Sequence, residues 1–165
     1  MADLAASHAL GQQLAGTVLA GASLLLLRGP LGAGKTSLVQ GIAAGLGIEE
    51  VVTSPTFALA QHYRGFCAGR RTGLVHVDLY RLEQPAAALE LFCQEEELAL
   101  EEGALMAVEW PERLPSLPAD AWQLELRIVD EGRVATLRPP RPAARSKQEH
   151  AAETTDVQCP VSDPG

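Results

Sequence analysis

Eight consecutive residues in the first quarter of the chain carry the chemistry of a phosphate-binding loop. Residues 29–36 read Gly-Pro-Leu-Gly-Ala-Gly-Lys-Thr, which fits the pattern G-x-x-x-x-G-K-T. The glycines let successive backbone N–H groups converge on an anion, Lys35 reaches the outer phosphates, and the Thr36 hydroxyl is a ligand for Mg²⁺. Ser37 lies one residue further along, within reach of another phosphate oxygen. The segment therefore predicts a nucleotide-binding site.

Two apolar segments further along the chain each end in a carboxylate. Residues 74–77 lead into Asp78, and residues 104–108 lead into Glu109. Because α/β sheets place their ligands at the carboxyl ends of parallel strands, we expect Asp78 and Glu109 to face the phosphate loop together and to serve a metal-dependent site. For either residue alone, a surface acid at a strand end is the simpler alternative. His76 is interpreted as a hydrogen-bonded core or edge imidazole rather than a ligand.

A polar turn, Thr53-Ser54-Pro55-Thr56, lies between the phosphate loop and Asp78. In nucleotide switches, a hydroxyl from such a loop senses the γ-phosphate, which makes Thr56 a candidate. A plain Ser-Pro turn is the alternative. For Trp110, directly after Glu109, the sequence favours packing over a cap on the nucleotide.

Alternating helices and strands must position these side chains. The apolar pattern predicts a first helix, capped by Asp3 or Ser7 with Leu4, Leu10 and Leu14 near one face, and later helices over 35–46 and 85–100. Strands are predicted over 23–28, 57–63, 74–78, 104–110, 122–129 and 133–138. The second and third strands should be antiparallel, because ten intervening residues are too few for a parallel crossover.

Together these elements predict an α/β fold. We expect a P-loop NTPase-like three-layer sandwich with a mixed, mainly parallel sheet and a C-terminal β-hairpin turning at residues 130–132. Residues 1–138 should form this one domain. Residues 139–165 contain five prolines and no aromatic residue, so they are predicted to be a disordered tail.

Charge and cysteine content narrow the possible partners and compartment. The net charge is −8, and residues 83–112 hold nine glutamates without lysine or arginine. Such a surface repels a phosphate backbone, so it is interpreted as a solvated helix face or, alternatively, as a docking surface for a basic partner. Three widely spaced cysteines suggest neither a disulfide framework nor a zinc site, and no apolar stretch is long enough to span a bilayer. A cytoplasmic protein is expected.

Four ordered segments give the sequence a specific resemblance. Residues 27–37 read L-R-G-P-L-G-A-G-K-T-S, 52–59 V-T-S-P-T-F-A-L, 76–82 H-V-D-L-Y-R-L and 108–114 V-E-W-P-E-R-L. In this order, across about residues 4–138, they resemble the bacterial TsaE family. The resemblance implies a small P-loop ATPase that acts with the partners TsaD and TsaB to form N6-threonylcarbamoyladenosine beside the tRNA anticodon, touching tRNA only through that complex.

The same resemblance assigns site residues. It implies that Thr36 and Glu109 bind Mg²⁺, and that Asp78, Lys35 and Thr56 serve ATP hydrolysis. Ser7 and Arg133 match family positions near the nucleotide. The residues implied to hold the ATP phosphates are Gly32, Ala33, Gly34, Lys35, Thr36 and Ser37. Pro30 stands where the family usually has an acid, and the segment after Arg138 is expected to have no family counterpart.

Other activities remain open from the residues themselves. A small-molecule kinase could use the same loop, with Arg64, Arg70 and Arg71 as phosphate clamps, although a hairpin turn explains these arginines more simply. A module that senses ATP without hydrolysing it is a further alternative. GTPase activity is disfavoured because guanine selection commonly uses N-K-x-D and the chain contains no asparagine.

Overall fold

A central sheet with helices on both faces is built from elements that alternate along the chain. The computed structural model describes residues 4–55, 58–141 and 157–159. The elements in chain order are α1 (Leu4–Gly16), β1 (Leu24–Arg28), α2 (Lys35–Gly45), β2 (Ala60–Cys67), β3 (Arg70–Asp78), α3 (Pro85–Glu102), β4 (Leu105–Glu109), a 3₁₀ turn (Pro111–Arg113), β5 (Trp122–Val129), β6 (Gly132–Arg138) and β7 (Val157–Cys159). Within the described ranges, the helices are too short or too polar to cross a membrane.

The strands form one sheet in the order β2-β3-β4-β1-β5-β6-β7. The four central strands, β3, β4, β1 and β5, are parallel to one another, while β2 pairs with β3 and β6 pairs with β5 in antiparallel fashion. The prediction of a mixed, mainly parallel sheet with a C-terminal hairpin is therefore confirmed. As a consequence, the carboxyl ends of the four central strands meet at one edge of the sheet.

Alternate residues of β1 separate the two halves of the core. Leu25 and Leu27 pack with α1 and α2 on one face, whereas Leu24 and Leu26 pack with α3 on the other. All four leucines are at most 3% exposed, as expected of a parallel strand that is covered on both sides. The molecule thus has the three layers that the sequence predicted.

Two glycines bring α1 and α2 unusually close together. A Cβ atom on Gly11 would lie 2.1 Å from Leu38 O, and one on Gly41 would lie 1.9 Å from His8 O. Since real Cβ atoms do not approach backbone oxygens so closely, any larger residue at either position would force the helices apart. This crossing fixes the start of α1 beside the start of α2, where the phosphate loop ends.

The β2–β3 hairpin is longer than predicted, and it begins later. Leu59 has φ 63° and its amide donates to Pro55 O at 3.1 Å, so a turn occupies the position where the sequence predicted strand. At the other end, Ala68 and Gly69 both have positive φ and form the two-residue turn that suits a hairpin. The Gly- and Arg-rich connection is consequently strand rather than loop.

Two further predictions differ from the structure. Leu4 is 57% exposed, so it does not share the buried face of Leu10 and Leu14. In the segment predicted to be a disordered tail, residues 157–159 form β7, which pairs with β6. Strand β6 otherwise ends the sheet, and its free edge gives three residues the backbone partners that composition alone did not suggest. Residues 142–156 and 160–165 lie outside the described ranges.

Candidate functional site

The phosphate loop connects β1 to α2 at the edge where the parallel strands end. Gly32 and Gly34 have φ values of 78° and 101°, which L side chains rarely adopt, so glycine is needed at both positions. The Ala33 amide donates to Pro30 O at 3.2 Å, so Pro30 fits the turn. In the described part of the chain, no side chain caps the start of α2, so its first N–H groups remain available to an anion.

Lys35 is the first residue of α2 and is only 6% exposed. Its Nζ donates to Gly29 O at 2.5 Å and lies 3.9 Å from the centroid of the Trp110 ring. Burial lowers the pKa of the Lys35 ammonium, while the carboxylates of Glu109, Glu112 and Asp78 oppose that shift. The loop therefore holds a partly desolvated cation, which interacts with phosphate more strongly than a hydrated one.

Asp78 and Glu109 are register partners at the ends of β3 and β4, and Glu109 also pairs with Leu27 of β1, beside the phosphate loop. The Tyr80 amide donates to Asp78 Oδ1 at 3.0 Å. Burial raises the pKa of the Asp78 carboxyl, and the nearby Glu109 carboxylate raises it further, whereas the Tyr80 hydrogen bond, His76 and Lys35 lower it. Adjacent carboxylates that repel one another favour a cation between or beside them.

These groups line one cavity of about 400 Å³, which we call the site cavity. It is lined by Leu4, Leu31, Gly32, Gly34, Lys35, Thr36, Ser37, Gln40, Ser54, Asp78, Glu109 and Trp110. The hydroxyl of Thr36 and the two carboxylates are hard oxygen ligands, the type that Mg²⁺ prefers. The donor set therefore fits the metal that the sequence analysis implied, with Thr36 and Glu109 as the candidate ligands.

Ser7 and Arg133 reach the phosphate loop from distant parts of the sequence. Ser7, in α1, is 4% exposed, and its Oγ would lie 2.7 Å from a Cβ on Gly34. Arg133, in β6, donates from Nη2 to Gly32 O at 3.1 Å. Both side chains thus lie beside the loop, and the crossing of α1 on α2 is what places Ser7 there.

The remaining residues that the sequence analysis proposed, Thr56 and three arginines, are not shown to line the site cavity. Thr56 lies outside the described residues, so its proposed role stays a prediction, although its neighbour Ser54 lines the site cavity. Arg64, Arg70 and Arg71 lie on the β2–β3 hairpin, in the halves of those strands that are far from the phosphate loop. The arginine clamp of the kinase alternative is therefore not assembled at this site.

Trp110 packs, as the sequence favoured, and it also lines the site cavity. Its partly buried side chain lies against the core on the α3 face of the sheet, and its backbone has the left-handed conformation, with φ 59°. Its ring lies 4.8 Å from that of Tyr80, and Arg113 lies 5.6 Å from the Tyr80 ring. Backbone conformation after β4 turns the ring toward Lys35, and nothing in the local sequence signals that turn.

Fold and loop together define a P-loop NTPase-like α/β protein. In agreement, the crystal structure of Bacillus subtilis YdiB matches this fold with a TM-score of 0.56 at 24% identity, over 83% of this chain and 79% of that one. The family model described as "Threonylcarbamoyl adenosine biosynthesis protein TsaE" matches residues 1–135. The chain belongs to the TsaE family.

Relatives agree with this assignment. A protein of Synechocystis is 47% identical over 120 residues, which cover 71% of each chain, and one of Nostoc is 40% identical over 164 residues, covering 99% of this chain and 88% of the relative. Both are named tRNA threonylcarbamoyladenosine biosynthesis protein TsaE. The Nostoc match extends past Arg138, so the expectation that this segment has no family counterpart is wrong.

Proposed function

We propose that this protein binds ATP with Mg²⁺ and hydrolyses it, in the cytoplasm, to support formation of N6-threonylcarbamoyladenosine on tRNA together with the partners TsaD and TsaB. The family supports the pathway. The observation that carries the enzymatic part is the convergence of Lys35, Thr36, Asp78 and Glu109 on one cavity. Hydrolysis of a nucleoside triphosphate uses this combination of a cation, a hydroxyl group and carboxylates at the start of a helix.

Each side chain has a part that follows from its position. The free N–H groups at the start of α2 and the Lys35 ammonium bind the phosphates and offset the charge that develops on them. When bound through Thr36 and Glu109, Mg²⁺ supplies further neutralisation of phosphate charge. The raised pKa of Asp78 suits it to accept a proton from the attacking water, because a weaker acid has a stronger conjugate base.

Trp110 helps to hold the Lys35 ammonium in the position that it has without nucleotide, and we expect this contact to change when a triphosphate binds. In the structure the ammonium is shared between Gly29 O and the Trp110 ring. A triphosphate in the loop competes for the same ammonium, so phosphate binding should release Trp110 from it. By the family resemblance, the segment containing Thr56 also responds to the nucleotide and alters contact with the partner proteins. Turnover by the isolated protein should accordingly be slow.

Reconstitution of tRNA modification tests the proposal. Wild type and Lys35→Ala are each combined with TsaD, TsaB, tRNA and the threonylcarbamoyl donor, and modified nucleoside is measured by mass spectrometry over several turnovers. We expect Lys35→Ala to be inactive and the surface variant Arg70→Ala to match wild type. Equal multiple-turnover activity of Lys35→Ala would overturn the assignment.

Two variants separate hydrolysis from sensing. If Asp78→Ala supports full tRNA modification while Lys35→Ala abolishes it, ATP binding without hydrolysis is the function. If both variants lose modification and Asp78→Ala still binds ATP, hydrolysis is required. Rapid ATP hydrolysis by the protein alone would contradict the coupling to partners.

A further inference from the structure

His76 is a buried polar residue in a strand that is otherwise apolar where it crosses the core. Its side chain is fully buried, and its strand neighbours Leu74, Val75 and Val77 are buried as well. An imidazole at such a position loses its hydration and needs a compensating hydrogen bond, whereas an aliphatic residue would need none. Packing alone therefore does not account for histidine here.

The strand alternation places His76 on the same face of the sheet as Asp78. Residues two apart along a strand point to the same side, so His76 lies directly behind Asp78 as seen from the site cavity. In β4, Ala107 is the register partner of His76 and Glu109 that of Asp78. A side chain from His76 consequently approaches Glu109 from within the core, on the side away from the cavity.

One ring nitrogen of His76 contacts Glu109, and the other has no partner in the described part of the chain. Nε2 lies 2.9 Å from Glu109 Oε2, and Glu109 is itself only 3% exposed. Nδ1 is buried without a hydrogen-bond partner among the described residues. An unpaired acceptor is tolerated better than an unpaired buried N–H, so the network assigns the proton to Nε2, which donates to the carboxylate.

We propose that His76 is a positioning residue for Glu109: its Nε2–H holds Oε2, and so fixes the orientation in which Oε1 is available to a divalent cation. This inference rests on the proposed function, since it assumes that Glu109 is a metal ligand. Hydrogen bonds to a ligating carboxylate orient it and sharpen metal affinity without touching the metal. The role requires only an N–H donor on Nε2.

The test compares two substitutions at His76. His76→Gln keeps an N–H donor at nearly the reach of Nε2, while His76→Leu has similar bulk and no donor. Mg²⁺ affinity is measured by calorimetry on protein saturated with ADP, and ADP affinity is measured separately in EDTA. We expect His76→Leu to weaken Mg²⁺ binding about 10- to 100-fold, with ADP affinity in EDTA unchanged within about twofold, and His76→Gln to recover most of the loss.

A merely structural role for His76 predicts a different result. In that case both variants would lower the unfolding midpoint and would weaken ADP binding in EDTA as much as Mg²⁺ binding. Wild-type Mg²⁺ affinity in His76→Leu would also overturn the inference. If His76→Leu does not fold, His76→Asn replaces it, because its shorter amide falls short of Glu109 and should show the same loss of Mg²⁺ affinity.

A second measurement distinguishes failure of this inference from failure of the proposed function. In a Glu109→Gln background, His76→Leu should cause no further loss of Mg²⁺ affinity, because the group it positions is already altered. Wild-type Mg²⁺ affinity in Glu109→Gln contradicts both the metal assignment and this inference. A strong effect of Glu109→Gln with none from His76→Leu contradicts the inference alone.

Discussion

Two cavities at opposite ends of α2 differ in size and in the state of their charges. The larger, of about 940 Å³, lies beside the β2–β3 hairpin, and we call it the hairpin cavity; the site cavity has less than half that volume. The two are separated by roughly the length of α2, whose 11 residues span about 16 Å.

The charged side chains of the hairpin cavity are all exposed, including Arg64, Arg71 and Glu102. In the site cavity, by contrast, Lys35 and Glu109 are buried. Burying a charged side chain costs free energy because the group loses its hydration, whereas an exposed charge keeps it. Buried charges are therefore found mainly at functional sites. Burial of opposite charges, rather than volume, therefore marks the site.

Removing one cation from each cavity tests most directly whether buried charge marks the functional site. Lys35→Ala should lower ATP affinity or turnover by at least about 100-fold, because a preorganised charge at the phosphates is lost. Arg71→Ala, in the hairpin cavity, should stay within about twofold of wild type, since its charge is already hydrated. Nucleotide titration and a phosphate-release assay measure both effects. A larger loss in Arg71→Ala than in Lys35→Ala would reverse the assignment of the two cavities.

The same contrast applies to carboxylates. Glu109→Gln should reduce Mg²⁺-dependent hydrolysis by about 100-fold, because it removes the carboxylate charge that would hold the cation beside the phosphates. Glu102→Gln should have little effect, because Glu102 is exposed to solvent and its carboxylate lies 3.7 Å from the exposed Arg64. Rates measured across a Mg²⁺ series check both variants. Equal Mg²⁺ dependence in wild type and Glu109→Gln would refute the metal role.

A third substitution tests whether the helix crossing holds the site cavity in shape. Gly41→Ala places a Cβ 1.9 Å from His8 O, so it should lower the free energy of unfolding by about 3 kcal/mol and weaken nucleotide binding through displacement of α1. Gly16→Ala is the matched control, because a Cβ there meets none of the described residues within 4 Å; it should be neutral or slightly stabilising. Urea denaturation gives both free energies of unfolding. Similar values for the two variants would show that α1 and α2 can move apart at little cost.

The smallest expected effect concerns Glu96, a half-buried carboxylate on α3 outside both cavities. Burial and the nearby Asp120 raise its pKa above the ordinary value of 4.5, so the folded state disfavours the ionised form. Stability should therefore fall as the pH rises above 4.5, and Glu96→Gln should stabilise the protein at pH 7 by about 0.5 kcal/mol or less.

The pH dependence of that variant provides its control. Below pH 4.5 the gain from Glu96→Gln should vanish, because Glu96 is then protonated in both the folded and the unfolded protein. Glu97→Gln, which alters an exposed neighbour, should be neutral throughout. A gain for Glu96→Gln that persists at low pH would mean that packing, not charge, is responsible.

Local backbone preferences and hydrophobic pattern were enough to predict a large part of this structure from the sequence. The glycine pattern of the phosphate loop, the strand before it and the helix after it follow from backbone preferences and hydrophobic period within some twenty residues. The strand over residues 122–129 was predicted with the bounds it has in the structure, because alternation and a clear turn define it. Asp78 and Glu109 could be proposed as neighbours for the same reason: each ends a strongly apolar segment.

Tertiary structure alone decided which distant groups meet. His76 and Glu109 are 33 positions apart, and Arg133 and Gly32 are 101 apart; their contacts depend on strand order and register, which local propensity does not encode. The hairpin arginines lie far from the loop for the same reason, while the backbone conformation after β4 places Trp110 beside it. The sequence thus determined the phosphate loop itself, whereas packing of the sheet and helices decided which side chains surround it.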